Sequence, residues 1–412
     1  MTLPVLGLDV GTTKIAAVIG RPSTEGDSWE IIGAGKAPSQ GLRKAVVVDI
    51  DRTVASITQA VRAAENMAGV RVRHAVVGIT GGHISSLNSK AQIIISHPDG
   101  LITAEDVERV EENARTINLP PDYEIINAIP RYYTIDEQTG ISNPVGMFGR
   151  RLEVETHVVI GLRTLSKNLE KCVDQAGLAT EATVLEPVAT ARAVLSRDEM
   201  DLGVVLLDIG GGTTDIALFA QGSICFTASV PLGGANVTRD VAAGLRTSLS
   251  EAERLKLEHG CALADMVAPE ETVHFRAVGV DADQTVLRRL LAEVVEARME
   301  EVFTYVRREL AKCPQYRYVG GGIVLSGGGS LLEGAPDLCS RVLDGLSARI
   351  SIPRNLTGLV NEVSNPIHAT AVGLMMCAPQ VAHREPAPWE SYPRRLADLL
   401  RSLWSRLLKS YD

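Results

Sequence analysis

The chain of 412 residues is 45% hydrophobic and 22% charged, which gives ample material for large cores and a length that suits two to four domains. A net charge of −9 and an aromatic content of only 4% argue against a general nucleic-acid binder and against a stacking platform for single strands. The six cysteines show no Cys-x-x-Cys spacing, which suits buried thiols in a reducing compartment, and no apolar run approaches the ~20 residues of a membrane span, so the body is expected in the cytoplasm.

Leu6–Ala17, LGLDVGTTKIAA, reads as an apolar strand ending near Asp9, a turn through Gly11, Thr12 and Thr13, and a second strand opened by Lys14. Backbone amides beside hydroxyls suit a phosphate, and Lys14 adds a point charge for its outer oxygens. A third strand is expected around Trp29–Lys36. After GLRKAVVVD (41–49), Val54, Ile57, Ala60, Val61 and Ala64 have helical spacing and predict a helix over Asp51–Met67. A buried strand, His74–Ile79, closes this α/β unit. From 82 to 161 the texture changes to short β-like runs, Ile84–Leu87 and Gln92–Ser96, around a helix. That helix opens on the Thr103/Asp106 capping pair and is stopped near Ile117 by Pro120 and Pro121. This reads as a small inserted α/β subdomain, either a structural insert or a protein-contact surface.

Thr156–Leu162 is expected to resume the core, followed by a helix over Ser166–Ala176 with Gly177 as its stop. Glu186 precedes Pro187, where another helix begins. As a catalytic group Glu186 would position water for attack on a terminal phosphate. The plainer reading is an acid at a helix N-terminus, worth ~0.3–1 kcal/mol.

Leu206–Phe219, LLDIGGGTTDIALF, repeats the first motif: an apolar strand ending near Asp208, a turn through Gly210, Gly211 and Gly212, the hydroxyls of Thr213 and Thr214, a second acid at Asp215, and a further strand. The glycines are free to take positive φ and to let amides approach an anion. Asp208 would repel a bare phosphate, so the pattern favours a nucleotide chelated to Mg²⁺, with Asp9 and Asp208 facing the metal through water. By position after the paired threonines, Lys14 takes the place of Asp215. A glycine turn containing Gly234 leads into the next helix, and on Ser250–His259 Glu253 and Lys256 lie one turn apart. They form either a surface ion pair or contacts to ribose and base. A long helix is expected over Gln284–Ala311 with Val286, Leu290, Val294, Val302 and Val306 buried, and its arginines suit an acidic peptide. The third glycine cluster, GGGIVLSGGGSLLEG (320–334), is a short strand running into Gly327, Gly328 and Gly329, where a flat base can lie against backbone. NPIHATAVGLMM (365–376) predicts a small-residue helix suited to close packing.

Residues 379–393 read as a proline-rich linker. In the tail, Leu396, Leu399, Leu400, Leu403, Trp404, Leu407, Leu408 and Tyr411 form one helical face, opposite Arg394, Arg395, Asp398, Arg401, Arg406 and Lys409. Five basic and two acidic residues make 394–412 cationic within an anionic chain, as in an interfacial membrane helix. The other reading is a terminal helix docked on its own domain or on a partner.

The three glycine-rich loops resemble the actin, Hsp70 and sugar-kinase ATPase superfamily. GLDVGTTK, GLRKAVVVDID, VVGITGGHISS, NPVGMFGRRLEVETHVV, ERLKLEHGCAL, NPIHATAVGLM and the tail narrow the resemblance to the FtsA family of bacterial cell-division proteins, along nearly the whole chain. The resemblance implies an α/β, actin-like fold with subdomain 1A over 1–81 and 162–200, an inserted 1C over 82–161, 2A over 201–238 and 315–378, and 2B over 239–314. A linker (379–393) and a membrane-targeting helix (394–412) complete it. It implies ATP and Mg²⁺, with phosphate contacts at Gly11, Thr12, Thr13, Lys14, Gly211, Gly212, Thr213 and Thr214, and base or ribose contacts at Glu253, Lys256, Gly328 and Gly329. It further implies polymerisation, tethering of the FtsZ C-terminal tail with Arg298 as a contact, and other division partners at the insert. The place of action would be the cytoplasmic face of the inner membrane at the septum. Weak ATP hydrolysis stays open. The alternatives are a PilM-like pilus-assembly protein or a kinase, but no sugar-specific base, substrate-binding domain or other use for the tail is evident.

Overall fold

Two hairpins built to one pattern set the architecture. The computed structural model describes residues 3–23, 28–279 and 282–382. In the first half Val5–Val10 pairs antiparallel with Lys14–Pro22, which pairs with Trp29–Pro38. His74–Ile79 and Ala179–Leu185 extend the sheet in parallel on one side and Leu356–Gly358 on the other. In the second half Val204–Ile209 pairs antiparallel with Thr214–Ala220 and parallel with Ile323–Ser326, while Ser223–Val230 and Ala348–Ile350 form the edges. The central strands are apolar and buried on both faces, as strands covered by helices on either side must be.

Register sharpens the internal repeat. Asp9 pairs with Ala16 and Val10 with Ile15, whereas Asp208 pairs with Asp215 and Ile209 with Thr214. The loops Gly11–Lys14 and Gly210–Thr213 are therefore of equal length, so Lys14 matches Thr213 and Ala16 matches Asp215. Counting from the threonine pairs shifted the repeat by one residue. None of Gly210, Gly211 or Gly212 has positive φ either. Their need for glycine is steric: a Cβ on Gly211 would lie 2.3 Å from Thr13 Cγ2, and one on Gly212 would lie 2.6 Å from Thr12 Oγ1.

Between the sheets lie the helices Glu186–Val194 and Ala369–Ala382, in a core shared by both halves that includes Val18, Ala191, Leu206, Val324 and Val372. A Cβ on Gly373 would fall 1.8 Å from the Ala189 carbonyl oxygen, so the expected close helix packing is backbone against backbone. Helix Ile50–Ala68 covers the first sheet, capped by Asp49 and ended by left-handed Gly69. Just before it, Leu42–Arg43 and Val46–Val47 form a tight hairpin whose turn residues, Lys44 (φ 49°) and Ala45 (φ 62°), are both left-handed. Neither is glycine, and each such residue costs roughly 1–2 kcal/mol.

The insert is a sheet in the order Ser85–Ile94, Arg151–Leu162, Tyr123–Ile135, Gln138–Ile141, with helix Ala104–Arg115 held by a two-legged Thr103/Asp106 capping box. Two expectations change here. The runs at 84–87 and 92–96 belong to one strand, and Thr156–Leu162 belongs to the insert's central strand, not to the core. Buried by two neighbours, that apolar run had the pattern of a core strand. In the second half the expected helix over 284–311 begins only at Arg288, because Gln284–Leu287 pairs with Thr272–Phe275. Its buried stripe is Leu291, Val295, Met299, Val302, Val306 and Leu310. Leu290 is instead exposed and Val294 only partly buried, because the paired apolar residues at 290–291 and 294–295 permit two phases and packing selects the second.

Candidate functional site

The two hairpin turns, the third glycine turn and the helix Leu249–His259 converge on one cavity of about 340 Å³. Its walls include Asp9, Gly11, Thr12, Thr13, Lys14, Glu186, Asp208, Gly210, Gly211, Gly212, Thr213, Asp215, Gly234, Glu253, Lys256, Gly327, Gly328 and Gly329. Residues as far apart in sequence as Asp9 and Thr370 thus line one cavity. Thr214 is the exception: alternation along its strand turns it away, and its hydroxyl donates to the Leu232 carbonyl at 2.9 Å.

Carboxylates concentrate at the inner end. Lys14 Nζ donates to Asp9 Oδ2 at 2.7 Å. Burial alone would lower the Lys14 ammonium, but Asp9, with smaller shares from Asp208 and Glu186, holds it above the usual lysine range. Asp208 Oδ2 accepts from Thr370 at 2.8 Å and from Thr190 at 3.0 Å, the two threonines coming from the helices between the sheets. Burial pushes the Asp208 carboxyl up, and Asp9 adds to this against those hydrogen bonds. Burial also raises Asp215, to about 7, although it accepts from Thr80 across the cleft at 2.5 Å. Glu186 stands well above the carboxylate range through burial and then through Asp9, Asp215 and Asp208. Negative charge packed this way favours a cation. Among the described residues no three His, Cys, Asp or Glu side chains come together as a metal site by themselves. The carboxylate oxygens of Asp9 and Asp208 on the cavity wall are of a type that suits a hard divalent cation.

The outer end suits a nucleoside. Gly327 has φ 77°, and a Cβ there would lie 2.3 Å from Asp208 Oδ1, so only glycine carries the chain past the acid. Lys256 Nζ donates to both Glu253 oxygens at 2.9 and 2.7 Å, to Thr238 at 3.0 Å and to the Gly234 carbonyl at 3.3 Å. The pair is an ion pair with Lys256 buried rather than on the surface, and both residues line the cavity. Leu257, Leu331, Leu332 and Ile367 supply apolar walls. These residues, with Ala45, Thr80 and Thr370, were missed in the sequence. All lay in stretches already marked, Ala45 in GLRKAVVVD, Thr80 in VVGITGGHISS, Leu257 in ERLKLEHGCAL, Leu331 and Leu332 in the third glycine motif, and Ile367 and Thr370 in NPIHATAVG, but none was singled out as lining a site.

Arg298 lies apart from the cavity on helix Arg288–Leu310. It donates to Asp240 at 2.5 and 3.1 Å and makes a further ion pair with Glu301. A shallow hollow on the same helix is lined by Ala297, Glu300, Glu301, Thr304, Tyr305 and Arg308. The tail residues Leu396, Leu399, Leu400, Arg401, Leu403, Trp404, Arg406, Leu407, Leu408 and Lys409 lie outside the described residues. All six cysteines are buried free thiols. Among the described residues no helix is long and apolar enough to cross a membrane.

Known proteins match both parts of this architecture. The family described as "Cell division protein FtsA" matches residues 205–373, and "SHS2 domain inserted in FTSA" matches residues 81–160. The chain is similar to cell division protein FtsA of Pseudomonas aeruginosa, at 43% identity over 90% of this chain and 88% of that protein. It is 40% identical to that of Neisseria meningitidis, over 92% and 91%, and 35% identical to that of Escherichia coli K12, over 90% and 89%. Among solved structures it is similar to a chain of the PilM-PilN type IV pilus biogenesis complex, with TM-score 0.65, 17% identity, and 91% of this chain and 98% of that one covered. MreB 5 of Spiroplasma citri bound to AMPPNP gives TM-score 0.57 at 14% identity, covering 93% and 98%. At such identities these two likenesses carry the actin-like ATPase fold alone.

Proposed function

The chain belongs to the FtsA family of cell-division proteins, and from that premise we propose that it is an ATP-regulated scaffold that polymerises and ties the FtsZ C-terminal tail to the inner face of the cytoplasmic membrane. Its cell-division role follows from the family, and the cavity lined by both repeated turns supports nucleotide binding. A pilus-assembly role has only a shared fold behind it. The observation that carries the reading is the convergence of both hairpin turns, Gly327–Gly329 and the Glu253/Lys256 pair on one cavity lined with carboxylates.

In this reading Thr12, Thr13, Lys14 and the loop Gly210–Thr213 hold the phosphates, Asp9 and Asp208 face Mg²⁺ through water, and Glu253 and Lys256 meet the ribose and base. Mg²⁺, when bound, neutralises phosphate charge. Glu186 is placed to serve water attack, but burial and then Asp9, Asp215 and Asp208 raise its pKa well above the usual carboxylate value, which weakens it as an ionised base. We therefore assign at most a weak ATPase activity. Arg298 is the proposed tail contact, an acidic peptide exchanging with Asp240 or Glu301 on the guanidinium. The insert offers a surface to other division proteins.

Residues 394–412 are the proposed membrane helix, and the septal inner membrane the proposed location. Each Lys or Arg near anionic lipid adds ~1 kcal/mol, so a single helix binds reversibly and polymerisation strengthens attachment through avidity. Sedimentation with anionic liposomes tests this. The full chain should pellet with Mg·ATP, whereas the chain lacking 394–412 should stay in solution and still bind ATP. Pelleting of the shortened chain would remove the anchor assignment, and an unchanged ATP titration for Asp208→Ala would remove the nucleotide assignment.

A further inference from the structure

The tight hairpin Leu42–Val47 stands at the phosphate end of the cavity, where nothing so far has given it a role. Ala45 lines the cavity, and its N–H donates to Thr12 Oγ1 at 2.9 Å. A Cβ on Gly212 would lie 3.1 Å from Lys44 Cα, so the hairpin tip touches the second phosphate loop as well as the first. Its base is fixed, because Val48 and Asp49 N–H groups both donate to the Gly41 carbonyl, at 2.8 and 3.1 Å. Helix Ile50–Ala68 starts immediately after. The tip is thus a stiff wedge between the two turns rather than a loose loop.

Charge singles out its first turn residue. The two lysines that line the cavity are committed, Lys14 to Asp9 and Lys256 to Glu253. Lys44 is exposed and has no carboxylate partner among the described residues. It is held in a left-handed conformation next to Gly212. An ammonium on a flexible four-carbon stem suits a phosphate as a point charge. The Lys44 neighbours Ala45, Thr12 and Gly212 line the cavity, beside the two turns that the reading above assigns to the phosphates.

Building on the nucleotide reading above, we propose that this hairpin tells nucleoside triphosphate from diphosphate, with Lys44 meeting the terminal phosphate and the Ala45–Thr12 bond fixing the tip in reach of it. Lys44 then contributes to triphosphate binding and little to diphosphate binding. The rest of the phosphate site serves both.

Calorimetric titration of the full chain with Mg·AMPPNP and with Mg·ADP tests the assignment. For Lys44→Ala the AMPPNP affinity should fall about tenfold, as loss of one charge-assisted contact does, while the ADP affinity stays within about twofold. Lys44→Arg, which keeps the charge, should restore most of the AMPPNP preference. An equal loss for both nucleotides, or no loss for either, overturns the hairpin assignment and leaves the site standing. A wild-type chain that binds neither nucleotide overturns the site, and the hairpin assignment with it.

Discussion

Glu186 lines the cavity with Asp9, Asp208 and Asp215, and among the described residues Lys14 is the cation paired with them, through Asp9. Its raised pKa has a consequence for stability. Below about pH 4 the carboxyl is protonated in both folded and unfolded chains and costs nothing. As pH rises the unfolded chain releases this proton first, so the nucleotide-free protein loses stability until the folded carboxyl also ionises. Glu186→Gln should therefore raise Tm at pH 7.5 by about 2–4 °C, the shift that ~1 kcal/mol makes in a unit of 150–250 residues, and the gain should vanish near pH 4. A gain of equal size at both pH values, or a loss at pH 7.5, in a differential scanning calorimeter would contradict the electrostatic account. The acids themselves were legible in the sequence because each sits at a strand end or helix start beside glycine or proline. Thr80, Thr190 and Thr370, which hydrogen-bond to Asp215 and Asp208, were not, because no local pattern marks hydroxyls brought in from distant segments.

At the scale of elements, the insert is fastened to the second sheet. Ser86 donates to the Thr227 carbonyl at 3.0 Å and the Asn88 amide to the Cys225 carbonyl at 3.2 Å. His157 lies between them, its Nδ1 bonded to Asn88 Oδ1 at 2.8 Å and its Nε2 to Thr227 Oγ1 at 3.0 Å. Because Asn88 Oδ1 only accepts, Nδ1 carries the proton and Nε2 accepts from Thr227. Burial and the nearby Arg131 push this imidazole down to about 4. The unfolded chain takes up a proton near pH 6.5 while the folded one does not. Stability therefore falls as pH drops from about 6.5 toward 4, by up to about 3 kcal/mol, and is unaffected by this group above that window. Chemical denaturation of His157→Gln and wild type at pH 7.5 and 5 should show a smaller acid loss in the variant. Identical pH dependence would contradict the docking role. The fastening joins an insert strand to a sheet edge more than a hundred residues away, so no spacing could announce it. The Lys44–Ala45 turn was equally hidden, because it lacks the Asn or Gly that usually marks such a hairpin. The phase of helix Arg288–Leu310 was misread because adjacent apolar pairs fit two stripes, and only packing chooses.

For the molecule as a whole, the duplicated fold was legible because the chain states its phosphate hairpin twice, and a repeat with the same acid, glycine and hydroxyl order has few structural meanings. The division of labour proposed here places nucleotide between the halves, the FtsZ tail on the helix bearing Arg298 and the membrane on residues 394–412. The tether is the central claim, and its most direct test is fluorescence anisotropy of a labelled FtsZ C-terminal tail peptide titrated with the chain in Mg·ATP. The account predicts saturable binding that Arg298→Glu weakens by about tenfold or more, since it removes a charge pair and adds a repulsion. No saturation at high protein concentration, or an Arg298→Glu curve that overlays the wild type, would contradict it.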